Sequence, residues 1–111
     1  MELEQRINLL RLLGKYMRSE DAVFKEIKNK AHNLNPWFIP EFINMAINNI
    51  ANEFLEQDKL TEWIKKYRVK PIAPVKSVGI VMAGNIPLVG FHDLLCVIMS
   101  GHAAVIKPSA A

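Results

Sequence analysis

The feature that most constrains the fold of this chain is the stretch from residue 78 to residue 109, VGIVMAGNIPLVGFHDLLCVIMSGHAAVIKPS. It contains an apolar run typical of a β-strand, a Gly-Asn-Ile-Pro turn, an apolar run of helical length, and a second strand-like run that ends in Lys-Pro-Ser. Strand, helix and strand in this order make a βαβ unit with two parallel strands. The sequence therefore predicts an α/β fold.

Each part of this unit has its own local signal. The run of apolar residues over 78–82 predicts a strand covered on both faces. Pro87 suits the first turn of a helix over 88–100, which is apolar on most sides and is expected to be buried on most sides. Gly101 is expected to end that helix, and the second strand follows over 103–107.

The preceding residues predict four amphipathic helices. The first covers residues 2–17, the second begins after Ser19 as N-cap, the third covers 40–55, and the fourth is short and capped by Asp58. Apolar residues at steps of three and four should face a common core. These residues are Leu3, Ile7, Leu10, Leu13 and Met17; Val23, Ile27 and Ala31; Ile43, Ala46 or Ile47, Ile50 and Phe54; and Leu60, Trp63, Ile64 and Tyr67.

Two connecting segments each allow two interpretations. Trp37 and Phe38, which lie between prolines, either fill the helical core or form a platform on which a ligand stacks. Residues 65–76 carry five basic residues, two prolines and no acidic residue. This segment is either a solvated connection or a site for the phosphate of a substrate or cofactor.

Composition limits the classes of partner. The 111 residues are 50% hydrophobic and carry 14 Lys and Arg against 11 Asp and Glu, so the net charge of +3 is small and dispersed. This pattern does not favour nucleic acid as a partner. The N-terminus lacks the pattern of a signal peptide, and no apolar window is long enough for membrane insertion. With a single cysteine and no zinc-ligand spacing, a cytoplasmic protein is the expectation.

Cys96 is not expected to be a nucleophile. It lies in the middle of the apolar helical run, where a buried and inert thiol is the better interpretation. His92 and Asp93 are adjacent in sequence, so they point in different directions on a helix and do not form a catalytic pair.

The chemistry of the βαβ unit is concentrated at Asn85 and Lys107. A right-handed crossover places both at the carboxyl ends of their strands, where open α/β sheets bind ligands. Asn85 either donates its amide to a developing oxyanion or bonds the backbone of its own turn. Lys107 either contacts a ribose or phosphate or is an ordinary surface lysine. Neither a G-x-G-x-x-G nor a P-loop motif follows the first strand.

These motifs resemble the aldehyde dehydrogenase superfamily, in which a strand, an Asn-x-Pro turn, a buried helix ending in Gly and a strand ending in Lys-Pro-Ser recur. The block AGNIPLVGFHDLLCVIMSGH and the upstream NPWF are similar to the acyl-CoA reductase branch, which includes the fatty-acyl reductases of bacterial luminescence systems. The resemblance extends over the whole chain. It implies helices followed by the first βαβ unit of a Rossmann-like cofactor domain.

The resemblance also implies a reaction. Such enzymes reduce a fatty acyl thioester, carried on CoA or on a protein, to an aldehyde with NADPH through an acyl-cysteine intermediate. Asn85 matches the oxyanion donor of the family, and Lys107, with Pro108 and Ser109, matches the segment that contacts the cofactor. Superfamily members that favour NAD often have Glu after Lys-Pro-Ser, whereas Ala110 stands here, which permits NADPH without requiring it.

The nucleophilic cysteine of that family lies well beyond residue 111, so the resemblance implies an N-terminal piece that is inactive alone. We expect a helical segment at 1–70 and an incomplete NADP-binding domain at 71–111. Two strands leave open edges and uncovered apolar surface, which predicts association with a second copy or a partner. The alternative is a non-enzymatic helical interaction module that docks a partner protein.

Overall fold

The computed structural model describes residues 2–67, 74–82 and 88–108. Five helices and two strands occur within them: α1 (Leu3–Met17), α2 (Ala22–Leu34), α3 (Pro40–Phe54), α4 (Gln57–Tyr67), β1 (Ser77–Met82), α5 (Phe91–Ser100) and β2 (Ala103–Pro108). The two strands pair in parallel, as strands joined through a helix do. The predicted α/β class and the strand–helix–strand order are therefore confirmed for the described residues.

Two predicted helix starts among α1 to α4 are wrong. The N-cap of α2 is Asp21, whose carboxylate accepts the backbone N–H of Phe24 at 3.0 Å, whereas the hydroxyl of Ser19 donates to the carbonyl of Tyr16. Asp58 lies inside the first turn of α4 and does not cap it, because that helix already begins at Gln57. An acidic residue suits both places, since each lies near a positive helix end.

The buried face of α1 differs from its apolar stripe. Arg6 and Gly14 are buried together with Leu10 and Met17, whereas Leu13 is exposed. Gly14 is required by a close approach, because a Cβ at this position would lie 2.8 Å from the Cβ of Leu55. This residue therefore lets α1 pack tightly against the end of α3.

Arg6 connects α1 to α5. Arg6 is 8% exposed, and its guanidinium donates to the last carbonyls of α5, at 3.0 Å to Ile98 and 3.1 Å to Met99. No carboxylate among the described residues forms an ion pair with it, and its Nε has no acceptor there. The negative end of the α5 dipole and these two carbonyls therefore hold the buried charge.

One core joins the helices to the βαβ unit. Side chains of α1, α3, α4 and α5, together with Leu55, meet in a single cluster: Leu10, Met17, Ile43, Ile47, Ala51, Leu55, Leu60, Phe91, Leu95 and Met99. Half of these positions, namely Leu10, Met17, Ile43, Ile47 and Leu60, belong to the predicted stripes. Phe54 and Tyr67 of those stripes are exposed, and Leu55 is fully buried after the end of α3. The predicted boundary at residue 70 lies outside the described residues.

The connection between α2 and α3 corrects another prediction. Phe38 packs against the core, but Trp37 is 88% exposed, so the expectation that both rings fill the core is wrong for Trp37. On α2 itself, Val23 and Ile27 are exposed, whereas Phe24 and Ala31 pack against the core. The apolar stripe of α2 is thus turned partly toward solvent.

The βαβ unit is covered on one face only. In β1, Ile80 is buried between the exposed residues Gly79 and Val81, so the predicted cover on both faces is absent in the described chain. Helix α5 begins at Phe91 and not at residue 88, because Leu88 and Gly90 have positive φ angles of 61° and 82°. Its fully buried residues form one stripe, and the other residues from Leu94 to Ser100 are partly buried, so the expected burial on most sides is only partial.

Gly101 ends α5, as predicted, with φ at 95°, and a Cβ there would lie 3.0 Å from Nη1 of Arg6. We expect Gly101→Ala to lower the free energy of unfolding by roughly 2 kcal/mol, because the left-handed backbone becomes strained and Arg6 must move. Urea denaturation followed by circular dichroism measures this change.

The matched control is Gly79→Ala, since a Cβ at that position meets nothing within 4 Å. It should alter the free energy of unfolding by less than about 0.5 kcal/mol. Equal destabilisation by the two variants would contradict the role assigned to the Gly101 turn.

Candidate functional site

The described part of the candidate site is the carboxyl end of the two-stranded sheet. In the register of the strands, Val81 pairs with Lys107 and Met82 pairs with Pro108. Paired residues of a sheet project to the same face, so Lys107 shares a face with Val81. Both side chains are exposed, and Val81 is 76% accessible. An ammonium group therefore lies beside an open apolar surface at this end of the sheet.

Asn85 and Ser109 lie outside the described residues, so their positions stay predictions. The chain is described up to Met82 and again from Leu88. Leu88 has the unusual φ of 61°, a left-handed conformation that bulky side chains rarely adopt. The backbone directly after the Asn-Ile-Pro motif is consequently held in a strained conformation.

The opposite end of the sheet fixes the register. The backbone N–H of Lys76 donates to Nδ1 of His102 at 3.0 Å, and the N–H of Ala103 donates to the carbonyl of Lys76 at 2.9 Å. These bonds join the residue before β1 to the turn before β2. Sequence reasoning did not identify His102, because nothing in the spacing of the two residues shows that they meet.

The basic segment at 65–76 is only partly described. Lys65 and Lys66 belong to the last turn of α4, so the prediction that the whole segment is a connection is wrong at its start. Lysines suit this place because the helix end carries negative partial charge. Residues 68–73 lie outside the described chain, and a phosphate site there stays a prediction.

The Cys96 thiol is half-buried and not fully buried as predicted. Its Sγ lies 3.7 Å from Nδ1 of His92 one turn earlier, and the His92 ring packs against the rings of Phe54 and Trp63. Burial and the nearby Asp93 carboxylate both raise the pKa of the thiol. The thiolate is therefore disfavoured, which agrees with an inert cysteine.

Neither a metal centre nor a membrane span is found in the described ranges. No group of three or more His, Cys, Asp and Glu side chains within residues 2–67, 74–82 and 88–108 could hold a metal ion. Of the helices described, none combines the length and apolar character that crossing a bilayer requires.

Comparisons with protein-family models, with curated proteins and with solved structures found no match to this chain. The resemblance to acyl-CoA reductases thus stays a prediction carried by the residues of the βαβ unit.

The chemistry of Cys96 leads to a test by alkylation. With a raised pKa, Cys96 should react with iodoacetamide near neutral pH more slowly than a free small thiol. Asp93→Asn removes one cause of the raised pKa and should increase the rate roughly two- to fivefold. Mass spectrometry of the modified chain gives both rates.

Asp58→Asn is the control, because this carboxylate lies in the first turn of α4 and does not contribute to the raised pKa. Two results would contradict the assigned cause of the raised pKa. One is that Cys96 of the wild-type protein is alkylated as fast as a free small thiol, and the other is that Asp93→Asn does not accelerate the reaction.

Proposed function

We propose that this chain is the N-terminal part of an NADP-dependent acyl-CoA reductase of the aldehyde dehydrogenase superfamily. The enzyme reduces a fatty acyl thioester to an aldehyde through an acyl-cysteine intermediate. The proposal begins from the Asn85-Ile86-Pro87 and Lys107-Pro108-Ser109 motifs and from the strand–helix–strand order that contains them. The nucleophile of this proposal belongs to residues downstream of 111.

The observation that carries the proposal is the parallel register of β1 and β2. It places Lys107 beside Val81, at the end of the sheet where β1 stops at Met82. Asn85 follows Met82 by three residues, which an extended chain spans in at most about 11 Å. The Asn-Ile-Pro and Lys-Pro-Ser motifs thus both follow the carboxyl ends of the strands. Parallel sheets bind ligands at this edge.

The residues at this edge fit a dinucleotide. Val81 and Gly79 lie on the open face, and nothing stands within 4 Å of a Cβ built at Gly79, so a flat group has room there. The Lys107 ammonium on the same face is suited to a ribose hydroxyl or a phosphate. NADPH supplies a hydride when bound. The role of Lys107 in this proposal is to hold the nucleotide in place.

Asn85 acts on the substrate carbonyl in this proposal. When a thiolate attacks a thioester, the carbonyl oxygen takes up negative charge, and an amide N–H₂ aimed at that oxygen stabilises the charge in the transition state. Cys96 does not supply the thiolate, since its pKa is raised and its helix packs into the core.

The first test uses the longer protein that carries this chain and the downstream cysteine. Asn85→Ala should lower kcat for acyl-CoA reduction by roughly 10²- to 10³-fold while leaving NADPH binding unchanged, because only the oxyanion loses a donor. Steady-state rates and NADPH fluorescence titration separate the two effects. Asn49→Ala, on the exposed face of α3, is the control, and undiminished turnover of Asn85→Ala would remove Asn85 from the mechanism.

The second test concerns the cofactor. Lys107→Met should weaken NADPH binding about tenfold, since one charge-assisted contact is lost. Lys30→Met provides the control, because Lys30 is an exposed lysine of α2 and lies outside the sheet and the basic segment. Equal affinities of both variants, measured by fluorescence titration, would contradict the assignment of Lys107.

A specific observation also favours the non-enzymatic alternative, in which residues 1–70 dock a partner protein. Large apolar side chains are exposed around the connection from α2 to α3: Leu34, Trp37, Phe42 and Met45. Exposed apolar patches of this kind mark protein interaction sites. Sequencing of the transcript separates the two proposals, since a second glycine-rich segment and a cysteine downstream support the enzyme, whereas a stop codon after residue 111 supports the docking module.

A further inference from the structure

An apolar cavity lies between α1, α2, α3 and the start of α5. Its volume is about 320 Å³, which is near the lower end of the usual range for ligand pockets. Its wall is almost entirely apolar, and the main contributors are Leu13, Phe24, Ile27, Ala31, Ile47 and Phe91. The only charged side chain in the wall, among the described residues, is that of Lys28.

The cavity is present because α2 packs loosely against the neighbouring helices. No residue of α2 is buried, although Phe24 and Ala31 pack against the core below. Ile27 lines the cavity and is still more than half exposed. Wall atoms without partners lose dispersion contacts, so an apolar group that fills this space gains them.

Lys28 gives the cavity a positive rim. Its ammonium lies 3.2 Å from the amide oxygen of Asn44 and 5.0 Å from the centre of the Phe24 ring. Within the described chain no carboxylate forms an ion pair with it, in contrast to Lys25, which pairs with Glu20 at 2.8 Å. The Glu20 carboxylate attracts Lys28 electrostatically but forms its ion pair with Lys25, so Lys28 can still take the carboxylate of a ligand as a direct partner.

A second, polar cavity of about 510 Å³ shares Lys28, Met17 and Ile43 with the first. Among the described residues, its other charged side chains are those of Arg18, Glu20 and Lys25, so the cations of this cavity outnumber its single carboxylate. The two cavities therefore adjoin at Lys28. A molecule whose apolar part fills the first cavity can place its polar end in the second, solvent-accessible cavity.

We propose that the apolar cavity binds a single-chain amphipath with an anionic head, such as a fatty carboxylate. The hydrocarbon chain fills the space among α1, α2 and α3, and the carboxylate contacts the ammonium of Lys28. A peptide segment fits this wall poorly, because its backbone N–H and C=O groups need partners that the wall does not offer. This inference does not depend on the proposed reductase activity.

The first experiment is calorimetric titration of the purified chain with saturated fatty carboxylates of increasing length, below their micelle concentrations. Affinity should increase about fourfold per added methylene and then level off once the cavity is filled, at one molecule per chain. Adsorption to the open face of the sheet gives no levelling and no fixed stoichiometry. Either of those results, or no dependence on length, overturns the proposal.

A pair of variants on α2 tests the location. Ala31→Phe places a ring into the cavity and should weaken dodecanoate binding at least about tenfold, as the loss of two buried methylenes does. Ala22→Phe adds the same ring at the exposed first residue of α2 and should leave binding unchanged. Unchanged binding by a folded Ala31→Phe chain overturns the proposal.

A second pair tests the charge and keeps the proposal falsifiable if Ala31→Phe does not fold. Lys28→Gln should weaken dodecanoate about two- to fivefold and leave dodecanol unaffected, because only the carboxylate loses its cation. Lys30→Gln, an exposed residue of the same helix, should change neither ligand. Equal effects of Lys28→Gln on the acid and the alcohol overturn the assigned contact.

Discussion

The interaction on which the rest of this structure depends is the bond between the Arg6 guanidinium and the last carbonyls of α5. A buried charge without a carboxylate partner is unfavourable unless polar groups surround it, and the free end of a helix supplies such groups. Because Ile98 and Met99 lie just before the turn into β2, the contact also fixes where the second strand begins.

Two glycines make that contact possible in different ways. Gly14 lets α1 approach Leu55 so closely that no Cβ fits between them, and this brings Arg6 and Leu10 of the same helix within reach of α5. Gly101 turns the chain with a left-handed backbone directly under the guanidinium. An apolar periodicity predicts a helix face, but it gives no information on how near the next helix comes. The apolar periodicity therefore does not reveal residues, such as these glycines, that are needed where two parts of the chain approach closely.

This explains which parts of the fold could be predicted from the sequence. Periodicity and the Pro and Gly signals predicted each of the seven elements that the structure describes, and also the helix end at Gly101, because these are properties of local sequence. The burial of Arg6 and the exposure of Val23 could not be predicted, since each depends on a neighbouring helix distant in the chain. For the site, strand order alone placed Lys107 at the carboxyl end of β2, whereas Asn85 lies outside the described chain and its position stays a prediction.

Helix α5 links the two parts of the molecule to which chemistry is assigned. Its first residue, Phe91, lines the apolar cavity below α2, and the turn after its last residue leads into the strand that carries Lys107. Leu88, three residues after Asn85, contributes to the wall of the same cavity. A ligand that fills the cavity therefore contacts the segment through which the chain returns from the Asn-Ile-Pro motif.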